Sequence, residues 1–126
     1  MPEEKLLISV RRPNPYICVI DIQGAITSFS EKNLTEAYAA AVESQLRAII
    51  MNFTGMTYIN SLGIGLLVTL LIRARREGVK MVGYGLKENY RNVFEITRLD
   101  QSIPIYGNEA TAIVYSAPIE LPEREH

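Results

Sequence analysis

A buried strand followed by a long apolar helix, in the middle of the chain, constrains the fold more than any other feature. The run Ala48–Phe53 is apolar except for Asn52 and predicts a buried strand. The segment from Leu62 to Glu77 predicts a helix whose nonpolar residues span about 240° of its circumference, far wider than a one-sided surface helix requires. We therefore expect this helix to be central to the fold.

The same helix leaves a narrow stripe outside its apolar arc. The stripe consists of Leu62, Gly65, Thr69, Arg73 and Arg76. Leu62 is the one large apolar side chain in this otherwise polar stripe. We therefore expect that a loop buries Leu62 or that a partner binds it.

The turn that joins the strand to the helix contains Asn60 and Ser61. Both are good N-cap residues, because a side-chain oxygen can accept from the unpaired N–H groups of the first helical turn. Gly63 and Gly65 then lower the helix propensity, by about 1 kcal/mol each relative to alanine. Their small size suggests close packing or the close approach of a partner, although an ordinary strand-to-helix turn explains the stretch equally well.

The N-terminal part of the chain predicts a hairpin and a helix. Two apolar runs flank a proline-containing turn and would pair as strands, Leu6–Val10 and Tyr16–Ile22. A polar connection, 24–30, leads to an amphipathic helix that ends near Ser44. Two cap registers compete at the start of that helix, a capping box from Ser28 to Glu31 and a cap by Ser30.

The C-terminal half continues the alternation of strands and helices. After the central helix the predicted order is strand, helix, strand and helix, over Lys80–Tyr84, Glu88–Ile96, Ile103–Tyr106 and Glu109–Ser116. Pro104 suggests an edge position for the last strand, and Asn108 can cap the last helix. This alternation predicts an α/β fold with a mixed, mostly parallel sheet of about five strands and about four helices packed against it.

Length and charge restrict the possible functions. The chain of 126 residues can form one domain, expected over residues 1–117, followed by a mobile tail over 118–126. The net charge of −1 provides no basic field for nucleic acid or anionic lipid. The longest apolar run, Leu62–Ile72, is too short to cross a bilayer, and the single Cys18 fits a reducing compartment. We expect a cytoplasmic protein.

Residues for catalysis are scarce. The only histidine is His126, and Cys18 lies in a predicted strand, where a small buried hydrophobe is more common than a nucleophile. Metal ligands do not cluster in the sequence, and Gly63 and Gly65 lack the third glycine of a dinucleotide-binding loop. No catalytic residue, cofactor or metal is therefore predicted, and an enzyme is the weakest class.

Ser61 remains as a candidate switch. A phosphate there would add about two negative charges at a helix N-terminus, where the helix dipole and the free N–H groups favour an anion. A partner docked on Leu62, Gly65 and Thr69 would meet that charge, and its association would weaken. Such a mechanism requires no active site in this protein.

The segment Ile49–Leu67 and the order of elements resemble the STAS domain family of anti-sigma factor antagonists, over about residues 5–116. The family's helix start, Asp-Ser-(Ser/Thr)-Gly-(Leu/Ile)-Gly, corresponds here to Asn60-Ser61-Leu62-Gly63-Ile64-Gly65. In the family, the first serine is phosphorylated by an anti-sigma factor kinase, and the unphosphorylated form binds that kinase and frees the sigma factor. The resemblance implies that Ser61 is the phosphoacceptor.

The chain departs from the family pattern at several positions. Family aspartates fall at Asn52, Asn60 and Thr27, so three carboxylates are expected to be missing around the serine, and the family's second hydroxyl is replaced by Leu62. The resemblance places the partner-binding face at the start of the central helix and beside it. The residues implied are Thr27, Asn60, Ser61, Leu62, Gly63, Gly65 and Thr69.

Three functions are open from the sequence. The first is an anti-sigma factor antagonist-like regulatory protein that binds an anti-sigma factor serine kinase and is switched at Ser61. The second is a scaffold-type STAS protein that binds constitutively, which the substituted carboxylates favour. The third is a small-ligand or lipid-binding STAS module that uses apolar residues such as Leu62 and Tyr58. No nucleic acid and no integral membrane association is expected, and the oligomeric state stays open, a homodimer being one option.

Overall fold

The structure, a computed structural model, describes residues 6–116 and is built around one β-sheet. Its five strands lie in the order β1–β2–β3–β4–β5. β1 pairs antiparallel with β2, and the remaining neighbours are parallel. The bounds are β1 Leu7–Asn14, β2 Ile17–Ile26, β3 Ala48–Ile59, β4 Lys80–Tyr84 and β5 Ile105–Tyr106. The predicted mixed, mostly parallel sheet is confirmed.

Helices cover the two faces of this sheet unequally. Within residues 6–116 they are α1 Glu31–Ala41, α2 Ser61–Arg76, α3 Glu88–Ile96, α4 Leu99–Ser102 and α5 Glu109–Ser116. Side chains of α1 to α4 join the larger core on one face, whereas α5 reaches the smaller core on the other through Ala112. The one-turn helix α4 is additional to the four helices predicted. Helix α1 ends at Ala41 rather than near Ser44, because Val42 already has an extended backbone.

The near-continuous apolar runs of the central strands supply both cores. In β2, Cys18 and Ile20 belong to the larger cluster and Ile17 and Val19 to the smaller one. Side chains of a strand alternate between the two faces, so a strand covered on both sides must be apolar at every position. This is the reason that these segments lack the polar–apolar alternation of a half-exposed strand.

Three strands run further than the sequence predicts. β1 continues to Asn14, so the hairpin turn shrinks to residues 15–16, and β2 and β3 extend to Ile26 and Ile59. The polar and glycine-containing ends of β2 and β3 pair with each other, with Gln23 opposite Gly55. Hydrogen bonding between the two strands, rather than the preference of the individual residues, sets these lengths.

A 3₁₀ turn, Ser28–Ser30, precedes α1 and resolves the two competing cap registers. The Thr27 hydroxyl accepts from the Phe29 backbone N–H at 3.2 Å, and the Ser30 hydroxyl accepts from the Thr27 N–H at 2.9 Å. The capping box therefore runs from Thr27 to Ser30 and not from Ser28 to Glu31. Ser30 does stand at the N-cap position of α1, but its side chain makes no cap bond to that helix.

Helix α2 connects β3 to β4, and its buried face packs into the larger core. The buried residues are Gly63, Leu67, Leu70, Leu71 and Ala74. Outside this face, four residues of the predicted stripe are exposed, Leu62, Gly65, Thr69 and Arg76. The predicted apolar arc included Ile72, but this side chain is 51% exposed and is not part of the buried face. At 100° per residue, Ile72 lies close to Gly65 on the outer side of the helix.

Three smaller predictions are confirmed. Cys18 is fully buried, and burial raises the pKa of its thiol, so it is a core residue and not an activated nucleophile. The Asn108 side chain caps α5 by accepting from the Thr111 N–H at 2.8 Å. β5, which follows Pro104, is an edge strand of the sheet. The predicted mobile tail, 118–126, lies outside the described residues.

Candidate docking surface at the start of helix α2

The ends of two neighbouring parallel strands meet at the candidate site. Ile26 and Ile59 are register partners and are the last residues of β2 and β3. Thr27 follows the first strand directly, and Asn60 and Ser61 follow the second. The carboxyl edge of a parallel sheet is where open α/β folds place their binding residues. The fold thus brings Thr27 to the same edge as the start of α2.

Asn60 and Gly63 together set the position of the first turn of α2. The Asn60 Oδ1 atom accepts from the Gly63 N–H at 2.9 Å, which confirms Asn60 as the N-cap. Gly63 is buried against the end of β2, and a Cβ atom there would collide with the Ile26 carbonyl oxygen. The missing side chain at residue 63 therefore lets the helix rest directly on the strand end.

Four of the predicted partner-binding residues form one exposed surface, which we call the docking face: Ser61, Leu62, Gly65 and Thr69. Ser61 is the first residue of α2, and its side chain is exposed. Leu62 is 61% exposed, so no loop within residues 6–116 buries it. A Cβ atom at Gly65 would meet nothing within 4 Å, and the Thr69 hydroxyl donates to the Gly65 carbonyl at 3.0 Å. These four residues are uncharged, and Leu62 is the only large side chain among them.

The other predicted binding residues have local structural roles. Gly63 is buried and does not lie on the docking face. Thr27 is half-buried, and its hydroxyl is used by the 3₁₀ turn. Asn60 is half-buried and caps the helix. These three residues position the docking face rather than extend it.

Two aromatic rings near the start of α2 are exposed: the sequence analysis considered Tyr58 only for a small ligand, and it missed Phe29 as a candidate binding residue. Phe29, in the 3₁₀ turn that contacts α2, is 79% exposed. Tyr58, two residues before Asn60, is 47% exposed. Phe29 is an apolar residue just before an amphipathic helix, and only its exposure in the folded chain distinguishes it from a core residue. Aromatic side chains contribute strongly to protein interfaces.

Asn52 does not belong to the surroundings of Ser61. It lies seven positions before Ile59 in the same strand, about 23 Å away at the rise of a strand. Its Nδ2 atom donates to Asp21 Oδ1 at 2.7 Å, and its Oδ1 atom accepts from the Thr54 N–H at 3.0 Å. The expectation of three missing carboxylates beside the serine is corrected to two positions, Asn60 and Thr27.

Asn52 belongs instead to a charged cluster on the face of the sheet that α5 partly covers. Arg11 makes paired bonds to Asp21, at 2.6 and 2.8 Å, and to Glu109 of α5, at 2.7 and 3.2 Å. The Tyr84 hydroxyl donates to Glu109 at 2.6 Å. Hydrogen bonds from Arg11 are the main reason that the pKa values of Asp21 and Glu109 lie below their ordinary range. Burial and Glu109 raise the pKa of Tyr84, which is therefore a neutral donor.

Two clefts among the described residues lie away from the docking face. One of about 470 Å³ is lined by polar and apolar residues of β1, β2 and β3, among them Ile8, Asp21 and Gln23. Another of about 290 Å³ lies between α3 and β5. Neither cleft is lined by Leu62 or Tyr58, the residues considered for a small ligand. Within residues 6–116, no three potential metal ligands cluster, and none of the helices is both long and apolar enough to cross a bilayer.

Comparison with known families decides the classification of this fold. The model of the STAS domain matches residues 9–112 of the chain. The chain belongs to the STAS domain family. The docking face and the capped start of α2 are therefore features of a STAS domain, and the expected family is confirmed.

Solved structures with very different sequences share this STAS fold. An anti-sigma factor antagonist from Mycobacterium paratuberculosis superposes with a TM-score of 0.76 at 18% identity, over 90% of this chain and 96% of that chain. The Bacillus cell fate determinant SpoIIAA in its phosphorylated form gives 0.67 at 17% identity, over 86% and 98%. A sulfate transporter family protein from Wolinella succinogenes gives 0.72 at 11% identity, over 84% and 88%. Since proteins of different kinds share the fold, function must be argued from the site.

Proposed function

We propose that this STAS protein is an anti-sigma factor antagonist-like regulator of the cytoplasm. It binds an anti-sigma factor serine kinase through the docking face, and phosphorylation of Ser61 releases that partner. The single observation that carries the proposal is the position of Ser61, exposed at the first residue of a capped helix and beside an exposed apolar side chain, Leu62. The structure of a phosphorylated anti-sigma factor antagonist with the same fold supports a phosphoswitch in such a protein.

The geometry accounts for a switch that leaves the fold intact. A phosphate on Ser61 would stand in solvent at the N-terminus of α2, and no acidic residue occupies the first turn of that helix. The helix dipole therefore stabilises the anion in the free protein. In the complex, the same charge would have to be buried against Leu62 and Gly65, and an unpaired charge in an apolar interface is costly. Phosphorylation thus weakens binding without unfolding the domain.

Incubation with the cognate anti-sigma factor kinase and ATP tests the assignment of the serine. We expect one phosphate per chain on the native protein and none on Ser61→Ala, as measured by intact mass. Ser28→Ala is the matched control, because Ser28 is an exposed serine of the neighbouring 3₁₀ turn. Phosphate uptake by Ser61→Ala, or its loss in Ser28→Ala alone, would disprove the assignment.

A titration with the same kinase tests the docking face. Leu62→Asp places a charge on an exposed residue and should weaken binding by tenfold or more while leaving the melting temperature nearly unchanged. Ile96→Asp, on an exposed residue of α3, is the control and should bind normally. Equal affinity of the Leu62→Asp variant would remove the docking face from the proposal.

A constitutive scaffold is a second candidate, because the capping side chain beside Ser61 is the neutral amide of Asn60. A kinase that reads a carboxylate at this position would not recognise the site. Intact mass of the protein purified from its native cells separates the two functions. A persistent absence of the species heavier by the mass of one phosphate would favour the scaffold.

A further inference from the structure

The outer side of α2 carries four exposed residues at the spacing of a helix-packing seam. Leu62, Gly65, Thr69 and Ile72 are separated by three, four and three residues, which keeps them on one line along the helix. We call them the outer ridge. Leu62 and Ile72 are 61% and 51% exposed, so two large apolar side chains stand in water on a helix that has no partner on this side in residues 6–116.

The outer ridge has the same pattern in both directions. It reads large, small, small, large, and its midpoint falls at Leu67. We propose that the outer ridge pairs with that of a second copy of this chain, with the two α2 helices antiparallel about a two-fold axis. Leu62 then faces Ile72 of the second copy, and Gly65 faces Thr69. A two-fold interface requires this kind of self-complementary surface.

The two central residues suit a close helix contact. A Cβ atom at Gly65 would meet nothing within 4 Å, so the space above this residue is free for another backbone. The Thr69 hydroxyl is already bonded to the Gly65 carbonyl within the same helix, at 3.0 Å. Burying Thr69 in an interface therefore leaves no unpaired hydroxyl, and its methyl group is left to make the contact. Small residues at a crossing let two helices approach closely.

The charges on α2 also fit an antiparallel arrangement. The last turn is basic, with Arg73, Arg75 and Arg76, and no acidic residue lies in the first turn. About the midpoint at Leu67, Ser61 of one copy is level with Arg73 of the other, but the Arg73 guanidinium already lies 4.6 Å from the centre of the Tyr38 ring. The exposed Arg76, one turn beyond, is therefore the arginine that reaches toward Ser61. Each basic turn would then stand beside the N-terminus of the opposite helix. Phosphorylation at Ser61, which rests on the proposed function, would add an ion pair at both ends of the interface.

The size of the surface predicts a weak dimer. Stable interfaces bury about 1,200–2,000 Å² in total, whereas the outer ridge offers four side chains from one 16-residue helix of each copy, and two of the four are small. The dimer of the unmodified protein should therefore form only at micromolar or higher concentration. It covers the docking face, so the dimer and the kinase complex exclude each other.

Sedimentation velocity over micromolar to low-millimolar concentrations tests the dimer itself. We expect a concentration-dependent shift from monomer to dimer for the native chain and for Ile96→Glu, whose substitution is on an exposed residue of α3. Ile72→Glu should remain monomeric with an unchanged melting temperature. A monomer at all concentrations, or a dimer that Ile72→Glu leaves intact, would overturn the proposal.

Mixed disulfides test the antiparallel register. The single native cysteine, Cys18, is buried, so introduced cysteines can be oxidised selectively. A mixture of Leu62→Cys and Ile72→Cys proteins should form a heterodimeric disulfide, because the two positions face each other. Leu62→Cys alone should not, since its two copies lie about 15 Å apart along the axis. A disulfide between two Leu62→Cys chains would overturn the antiparallel pairing.

A protein with phosphoserine built in at position 61 tests the charge arrangement without any kinase. We expect the dimer to tighten about tenfold, and Arg76→Gln to cancel most of that gain. If the phosphorylated chain dimerises no better than the native one, the proposed ion pair between phosphorylated Ser61 and the basic last turn of the second copy is wrong. The outcome is independent of the kinase assays, so failure of the dimer and failure of the proposed function are distinguishable.

Discussion

Two glycines that are equivalent in the sequence have opposite roles in the folded chain. Gly63 is buried, and its Cβ position is occupied by the Ile26 carbonyl oxygen. Gly65, two residues later, has nothing within 4 Å of its Cβ position. Both weaken the helix, but only Gly63 is required by packing inside the domain. Packing within the described part of the domain does not require the missing side chain at Gly65, and in our proposal it makes room for a partner.

Alanine substitution separates the two roles. Gly63→Ala should destabilise the domain by about 1–3 kcal/mol, because the helix start must move away from β2. Gly65→Ala should stabilise it by up to about 1 kcal/mol through helix propensity, and should weaken kinase binding. Chemical denaturation measures the stabilities, and a titration measures the affinity. Similar destabilisation by both substitutions would contradict the assigned roles.

At the scale of elements, α2 is positioned by its cap and by the ends of β2 and β3. The Asn60 N–H bonds to the Ile26 carbonyl at 3.3 Å, while the Asn60 side chain holds the N–H of Gly63. Asn60 thus bonds both to the end of β2, through its backbone, and to the first turn of α2, through its side chain. Ser61 directly follows Asn60, so the position of Ser61 depends on the sheet as well as on the helix.

Removal of the cap tests this role of Asn60. Asn60→Ala should cost about 1 kcal/mol of stability and fray the first turn of α2, whereas Asn60→Asp keeps an oxygen at the cap and should stay close to the native stability. Hydrogen exchange of the Gly63 amide reports the fraying directly. Equal protection of that amide in native protein and Asn60→Ala would show that the cap is not what holds the turn.

Helix α5 is tethered at its N-terminus by Glu109, which accepts from both Arg11 and Tyr84. Glu109→Gln removes the charge and should loosen α5, with a loss of stability under about 1 kcal/mol because the pair is partly exposed. The amides of α5 should then exchange faster while those of α2 stay unchanged. A uniform change across both helices would indicate a global effect instead of a local tether.

For the whole molecule, the Arg11 cluster predicts an acid-sensitive stability. Asp21 and Glu109 have pKa values below their ordinary range, chiefly because of hydrogen bonds from Arg11. A carboxylate whose pKa is lower in the folded than in the unfolded chain stabilises the fold above its unfolded pKa, and this contribution is lost as the pH falls through the folded pKa. Stability should therefore drop as the pH falls below the ordinary range of aspartate and glutamate.

The variant Arg11→Gln should reduce this dependence. Its stability should differ most from that of the native protein near neutral pH and converge with it in acid, because the carboxylates are then protonated in both proteins. Arg75→Gln, at an exposed arginine of α2, is the control and should keep the native pH profile. Denaturation midpoints from neutral to acidic pH measure the effect. Parallel profiles for native protein and Arg11→Gln would refute the role of the cluster.

The sequence alone determined the features that depend on neighbours along the chain. Residue patterns predicted the bounds of β4, α3 and α5, because strand and helix periods act within a few residues. The Asn60 cap followed from a side chain that reaches the N–H group three residues later. The mixed sheet followed from apolar strands that alternate with helices. Ser61 was predicted as a candidate switch in the same way, from its place after a strand and a cap, and its phosphorylation stays a prediction.

Only the tertiary structure decided what depends on contacts between distant residues. The final residues of β2 and β3 are strands because each pairs with the other across a ladder that local preference does not encode. Arg11 meets Glu109 across nearly the whole chain, and Asn52 serves Asp21 rather than Ser61. Gly63 and Gly65 became distinct only when one of them met the end of β2. In each case the deciding interaction joins segments that are far apart in sequence, so no local pattern could contain it.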